Sequence, residues 1–289
     1  MADVLRIGAT TDILGEGPVW DVRSQALYWV DIRRPAVQRY DWRERRVTSW
    51  PMPEMVGSLA VREAGGLLLA LKSRIAFFDP VTSAIDPVAA PEAGRDNMRF
   101  NDGKCDRQGR FWAGTMNDLT RDPEGALYRL DPARGCVAMD RGIRIPNSLA
   151  WSVDSRTLYF ADSPLRTIFT YPFDPATGDI GQRRTFVTVE PPAIPDGATV
   201  DAEGCLWCAH YDGWRIVRFT PNGRIDRVIN LPVQRPTSCQ FGGPDLNVLF
   251  VTTASQKLTP EELAKQPLAG ALLTLDVGVK GVPEARYAG

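Results

Sequence analysis

Oxygen-bearing side chains recur at equivalent places along this chain, and three of them are strong ligands for a hard metal ion. Each lies five residues before a polar turn residue: Glu16 (before Asp21), Ser58 (before Glu63), Asn101 (before Asp106), Asn147 (before Ser152) and Asp196 (before Asp201). A sixth copy offers Thr237 or Ser238. The carboxylates of Glu16 and Asp196 and the amide oxygen of Asn147, with no sulfur ligand, suit one hard or borderline divalent cation. Its identity stays open among Ca, Zn, Mn, Mg and Fe(II).

These side chains would meet if the chain formed repeated structural units around a common axis. The sequence contains such internal repeats. Apolar segments that follow a turn begin at residues 27, 67, 111, 158, 206 and 249, in steps of 40, 44, 47, 48 and 43. A short segment of small residues precedes each one, and a segment of alternating apolar and polar residues follows it. Strand–turn–strand units of this length are typical of propeller blades.

The repeats predict an all-β fold, a six-bladed β-propeller that forms a single domain over residues 1–289. A fourth, outer strand per blade is expected at segments such as 47–50 and 184–187. We expect Leu5–Ile7 to complete the last blade beside residues 284–287, which would close the ring and remove free sheet edges. Because the innermost strand of each blade lines the central channel, the equivalent polar side chains should converge there.

Composition bounds the possible partners and the cellular compartment. The chain has 289 residues, of which 44% are hydrophobic and 24% are charged, and its formal net charge is -1. This balance gives no support for binding to nucleic acid or to an anionic membrane, and no apolar run approaches the roughly 18 residues of a membrane helix. The beginning of the sequence lacks a basic-then-apolar signal pattern. Together with scattered cysteines, these features favour a cytoplasmic location.

Cysteine and histidine usage excludes several kinds of site. Cys205 and Cys208 form a CxxC pair inside an apparent strand, where positions three apart point to opposite faces, so a structural role is favoured. The single histidine, His210, excludes two-histidine zinc motifs, and no Gly-x-Ser-x-Gly elbow is present. His210 either faces the pocket mouth or caps a turn. Tyr211 and Trp214 are candidates for a pocket rim.

Five short motifs, in this order, resemble the gluconolactonase/regucalcin (senescence-marker-protein) family of sugar lactonases. They are Gly-Glu-Gly-Pro at 15–18, Arg-Phe-Asn-Asp-Gly-Lys at 99–104, Gly-Thr-Met at 114–116, Pro-Asn-Ser at 146–148 and Pro-Asp-Gly at 195–197. The likeness covers essentially the whole chain. It implies a six-bladed propeller in which Glu16, Asn147 and Asp196 hold a divalent metal cation.

The resemblance also implies a substrate-binding set. Arg99 and Asn101 match the family's substrate contacts. The family's acidic substrate contact falls on Leu119 in this chain, with Asp118 immediately before it. Asp118 is therefore the third candidate for substrate binding.

Lactone chemistry fits this set of side chains. A lactone is a cyclic ester, so its hydrolysis to an aldonic acid requires no covalent nucleophile. We expect a metal ion to polarise the carbonyl oxygen and Asp196, the catalytic residue, to take a proton from the attacking water. Two alternatives stay open. One is a hydrolase of another ester or of a phosphotriester on the same scaffold, and the other is a calcium-binding regulatory protein whose metal is structural.

Overall fold

A computed structural model describes residues 4–289. The first half of the chain forms strands β1 (Leu5–Ile7), β2 (Gly15–Asp21), β3 (Ala26–Asp31), β4 (Ala36–Asp41), β5 (Arg46–Pro51), β6 (Val56–Val61), β7 (Leu67–Leu71), β8 (Ile75–Phe78), β9 (Ile85–Ala89), β10 (Met98–Cys105), β11 (Phe111–Asn117), β12 (Gly125–Asp131) and β13 (Gly135–Ile143). The second half forms β14 (Pro146–Trp151), β15 (Thr157–Asp162), β16 (Thr167–Pro172), β17 (Arg184–Thr188), β18 (Ile194–Val200), β19 (Leu206–Tyr211), β20 (Arg215–Phe219), β21 (Ile225–Asn230), β22 (Pro236–Gly242), β23 (Val248–Thr253) and β24 (Leu272–Asp276).

The strands form six four-stranded antiparallel sheets. Five of these blades run in chain order, β2 to β5, β6 to β9, β10 to β13, β14 to β17 and β18 to β21. The sixth blade has the order β22, β23, β24 and β1. The first strands of neighbouring blades pack against one another in a closed ring, from β2 through β6, β10, β14, β18 and β22 back to β2. The predicted six-bladed β-propeller is therefore confirmed.

The N-terminal strand closes the ring, but its partner differs from the predicted one. Leu5, Arg6 and Ile7 pair with Thr274, Leu273 and Leu272 of β24. Residues 284–287, which were predicted to lie beside this strand, form no strand there. The prediction was wrong because β24 offers a free ladder edge, whereas the C-terminal segment is used elsewhere.

The C-terminal segment lies against the second and third blades instead. The backbone N–H of Tyr287 donates to Val61 O at 2.8 Å, and that of Ala288 donates to Gly109 O at 2.9 Å. Glu284 contacts the buried Lys104 of β10, with 3.3 Å between Lys104 Nζ and Glu284 Oε1. The same ammonium donates to Ala198 O of β18 at 3.1 Å and to Gln240 Oε1 of β22 at 3.3 Å. Lys104 thus bridges three inner strands and the C-terminal segment.

Buried tryptophans on the second strands pack between the blades. Trp112 and Trp207 are fully buried, and their indole N–H groups donate to the turn carboxylates of Asp106 at 3.0 Å and Asp201 at 2.7 Å. These bonds satisfy a polar group that would otherwise be costly to bury. They fix each inner strand to its own hairpin, which makes the channel wall rigid.

One short helix interrupts the β structure within residues 4–289. Helix α1 (Pro260–Lys265) begins after Thr259, and the side chains of Thr259 and Glu262 form a reciprocal capping box. No helix in the described part of the chain has the length and apolar character needed to cross a membrane.

Candidate active site

Every inner strand carries one extra residue at the same level of the channel. The pairing of β2 with β3, for example, skips from Glu16–Val30 to Val19–Tyr28, which places three residue steps opposite two. Equivalent shifts follow Phe100 in β10, Asn147 in β14 and Pro195 in β18. The strands β6 and β22 shift there as well. Such bulges re-aim side chains and are common beside active sites. Here they turn the predicted ligands into the channel.

Glu16 and Asp196 lie in one cleft and are buried. Burial is the largest cause that raises the pKa of both carboxyls. The nearby carboxylate of Asp102 raises the pKa of Glu16 further, and those of Glu16 and Asp102 do the same for Asp196. Arg99 has the opposite effect on both but is outweighed. The carboxylates of Glu16 and Asp196 are therefore buried close to each other, and neither forms an ion pair with a residue of the described range 4–289.

The amide of Asn147 is fixed from two sides. Its Nδ2 donates to Ser163 Oγ at 2.8 Å, and its Oδ1 accepts from Asn101 Nδ2 at 3.0 Å. Ser163 Oγ in turn donates to Pro195 O at 2.7 Å, immediately before Asp196. The orientation of the Asn147 oxygen is thus set by neighbours on three blades, and one of its lone pairs is left for a ligand.

The predicted substrate-binding residues form a second, connected group. Arg99 Nη1 donates to Asn101 Oδ1 at 2.7 Å, while Arg99 Nε donates to Asp118 Oδ1 at 2.8 Å. Asp118 also accepts two hydrogen bonds of 2.8 Å from the guanidinium of Arg33. Burial raises the pKa of Asp118, but the bonds from Arg33 and Arg99 outweigh it and lower that pKa to about 2. Asp118 is consequently an ionised support for two arginines.

These groups share a cleft of about 590 Å³, including its open mouth. The residues that line it come from five of the six blades: Leu14, Glu16, Arg33, Arg99, Asn101, Arg121, Ile145, Asn147, Ser163, Ile194, Asp196, Tyr211, Gln256 and Lys257. All the predicted site residues except Asp118 are among them.

Of the three other residues considered as pocket candidates from the sequence, one lines the cleft and two do not. Tyr211 lines the cleft, as expected for a rim residue. Trp214 is 41% exposed and lies outside it. His210 is buried behind the wall, where its Nδ1 accepts from Arg215 Nε at 3.2 Å, and burial lowers its pKa to about 3. His210 therefore does not reach the pocket mouth.

The donor set fits a divalent cation. Within residues 4–289, no three His, Cys, Asp or Glu side chains converge as a metal site. A cation in this cleft would depend on the amide oxygen of Asn147 as its third protein ligand, beside Glu16 and Asp196. Carboxylate and amide oxygens are the ligands that Ca²⁺ and Mg²⁺ prefer, and they also bind Mn²⁺. The positive charge of a cation would also offset the repulsion between the two carboxylates, and it would lower the pKa of both.

A second cavity, of about 720 Å³, lies at the opposite ends of the inner strands. Its three carboxylates are already paired, Glu284 with Lys104 at 3.3 Å. Arg286 bonds to Asp21, and Arg23 to Glu63 at 2.7 Å. Nothing in this cavity leaves converging acids unpaired, so we assign the chemistry to the cleft around Glu16 and Asp196.

The sequence did not single out several residues of the cleft. Arg33, Arg121, Ser163 and Gln256 each follow the second strand of a blade closely. Because the two strands are antiparallel, the end of the second strand lies beside the start of the inner strand. The position of these residues, directly after the repeated apolar segments, could therefore have predicted that they lie at the mouth of the cleft.

Comparison with known proteins agrees with this fold. The SMP-30/Gluconolactonase/LRE-like region matches residues 14–255. The 6-deoxy-6-sulfogluconolactonase of Pseudomonas putida is 38% identical over 280 residues, which cover 96% of each chain. Human (Homo sapiens) regucalcin is 36% identical over 283 residues, or 95% of each chain. The crystal structure of regucalcin from Agrobacterium tumefaciens, described as a calcium-binding protein, has a TM-score of 0.94 at 28% identity and covers 98% of this chain and 96% of its own.

The fold and the site define a six-bladed propeller whose channel mouth carries a group of oxygen-bearing side chains. The chain belongs to the SMP-30/gluconolactonase/LRE-like family. The predicted family and the predicted enzyme class, lactonase, are both confirmed at this level.

Proposed function

We propose that the protein hydrolyses a sugar lactone to the corresponding aldonic acid, with Glu16, Asn147 and Asp196 holding one divalent cation. The observation that carries this proposal is the shared cleft, in which two unpaired buried carboxylates and an oriented amide lie beside Arg99 and Asn101. The names of relatives, which include a sulfogluconolactonase, support a sugar lactone as the substrate.

Arg99 and Asn101 would orient the sugar ring. Both hydrogens of Asn101 Nδ2 are used, towards Pro146 O at 2.9 Å and Asn147 Oδ1 at 3.0 Å. Asn101 Oδ1 accepts one bond from Arg99 and keeps a lone pair for a substrate hydroxyl. Arg99 Nη2 makes no hydrogen bond within residues 4–289 and can donate to a ring hydroxyl. The pair thus offers one acceptor and one donor in fixed positions.

Asp196 would act as the general base. A divalent cation, when bound, supplies polarisation of the lactone carbonyl and charge stabilisation on its oxygen. Beside such a charge the Asp196 carboxylate is ionised, and one of its oxygens accepts a proton from the attacking water. As the bond between the carbonyl carbon and the ring oxygen breaks, Asp196 returns that proton to the ring oxygen. The product is the open-chain hydroxy acid, whose new carboxyl group ionises at neutral pH and releases one proton.

A covalent route has no support in this cleft. The hydroxyl of Ser163 is engaged with Asn147 and Pro195, and no base accepts its proton. His210, the only histidine of the chain, lies behind the wall. Direct attack by water is the route that these residues favour.

Proton release during the hydrolysis of neutral aldonolactones tests the proposal. Metal-free protein should give the spontaneous rate, and a panel of single divalent cations should restore turnover. Asp196→Asn should abolish turnover while circular dichroism shows an unchanged fold. A calcium-binding regulatory protein would bind cations but release no protons above the spontaneous rate. Full activity of metal-free protein or of Asp196→Asn would contradict the mechanism.

A further inference from the structure

The cleft wall opposite the buried acids carries a surplus of positive charge. Three guanidinium groups, those of Arg33, Arg99 and Arg121, face the single carboxylate of Asp118, so three charges against one leave a net of two. Lys257, which is exposed, adds another ammonium to the lining. Among residues 4–289, the carboxylates that line the cleft are those of Glu16 and Asp196, and both would be ligands of the proposed cation.

Arg121 is the group with the most unused binding capacity. Asp118 is already bonded by Arg33 and Arg99, while Arg121 Nη2 stays 3.6 Å from Asp118 Oδ1. Its side chain is 35% exposed, and that of Arg33 is 27% exposed, so both reach the open part of the cleft. The backbone of Arg121 has a φ of 63° and accepts a hydrogen bond of 3.2 Å from Arg144 Nη1. The backbone of Arg121 is thus fixed, while its guanidinium, which makes no hydrogen bond within residues 4–289, is available to a ligand.

We propose that Arg33 and Arg121 form an anion subsite, and that the preferred lactone carries a negatively charged substituent remote from its ring carbonyl. This inference rests on the lactonase function proposed above. Guanidinium groups bind tetrahedral and planar oxyanions through paired, charge-assisted hydrogen bonds. A carboxylate, a sulfonate or a phosphate could make these bonds, and the substrate panel separates the three.

The single carboxylate of Asp118 does not neutralise all the guanidinium groups around it. Its carboxyl keeps a low pKa, of about 2, and remains ionised. This carboxylate accepts hydrogen bonds from Arg33 and Arg99, whereas Arg121 lies at the longer distance of 3.6 Å. Leu119, the next residue, is 78% exposed and contributes no charge.

The test compares one sugar ring with different substituents. Glucono-1,5-lactone, its 6-phosphate, its 6-deoxy-6-sulfonate and the corresponding 6-carboxylate are assayed with the cation-loaded enzyme at low and high ionic strength. At least one anionic lactone should exceed the neutral one in kcat/KM by about tenfold or more, and the preference should shrink as salt screens the charges.

Arg121→Ala and Arg121→Gln should lower kcat/KM for the anionic lactone at least about tenfold more than for the neutral one. Arg33→Ala should act in the same direction.

Arg34→Ala is the matched control, because it removes an equal charge from the next residue, which is exposed and does not line the cleft. It should leave the ratio of anionic to neutral turnover unchanged. If the neutral lactone is hydrolysed as well as every anionic one, or if the Arg121 variants keep the wild-type ratio, the anion subsite is refuted while the lactonase function stands. If no lactone is hydrolysed with any cation, both proposals fall together.

Discussion

Asn101 Nδ2 donates a hydrogen bond of 3.0 Å to Asn147 Oδ1, although the two residues are 46 positions apart and belong to neighbouring blades. Asn101 belongs to the proposed substrate group and Asn147 to the proposed cation group. The bond joins the two, so a change on the substrate side should be measurable as a change in cation affinity.

Asn101→Ala should weaken cation binding by about threefold to tenfold, because Asn147 loses a neutral hydrogen bond worth about 1 kcal/mol. The value of kcat/KM should fall further, since the acceptor for a substrate hydroxyl is also lost. Calorimetric titration with the cation measures the first effect. Ser58→Ala is the matched control, because Ser58 occupies the equivalent bulge of the second blade and its hydroxyl has no partner within residues 4–289. Equal losses in both variants would contradict the coupling.

Ser163→Ala should lower cation affinity about tenfold or more without removing any proposed ligand. Ser163 Oγ fixes the amide of Asn147 and also bonds Pro195 O beside Asp196. Partners that orient ligands typically contribute this much to metal affinity. The measurement is the dissociation constant of the cation, with thermal unfolding as a check on the fold. Unchanged affinity in a folded variant would show that the amide orientation is set by Asn101 alone.

Asp118→Asn should destabilise the protein by about 2 kcal/mol at neutral pH. The folded pKa of Asp118, about 2, lies below its ordinary value of 3.8, so ionised Asp118 stabilises the fold above the unfolded pKa. This contribution is lost as the pH falls through 4 towards 2. The difference in unfolding free energy between wild type and variant should therefore be about 1 kcal/mol smaller at pH 3 than at pH 5. A difference that does not vary with pH would contradict the ion pairs with Arg33 and Arg99.

Asp12 should show the opposite dependence on pH. Burial raises its pKa from 3.8 to about 6, despite hydrogen bonds from Gln38 and Trp29 that lower it. A raised folded pKa means that protonated Asp12 favours folding below the unfolded pKa, and that this stability is lost as the pH rises through 6. Relative to Asp12→Asn, wild type should lose about 2 kcal/mol of unfolding free energy between pH 4 and pH 7. Denaturant unfolding of both proteins at the two pH values measures this, and parallel curves would refute it.

The repeat pattern was sufficient to predict the blades, because each one is a local antiparallel unit with its own turn residues. It did not predict that Leu5–Ile7 pairs with β24, since a free sheet edge is a property of the assembled ring. The bulges at Glu16 and Asn147 were also invisible, because an extra residue in one strand shows only against its partner. The repeated spacing singled out Glu16, Asn147 and Asp196, and the resemblance to a known family added the substrate-binding candidates. The proposed role of Arg121 depends on a contact across a loop, which the sequence does not show.

Lys104 ties β10 to β18, β22 and the C-terminal segment one level below the proposed ligands. The bonds of Lys104 cross the channel below the cleft. In the proposed reaction, substrate and product would therefore share the open mouth of the cleft, and the ring-opened acid would leave past Arg33 and Arg121 before the next lactone enters. An acid that leaves slowly would act as a competitive inhibitor, so the rate of product departure, more than the speed of ring opening, would set the ceiling on turnover.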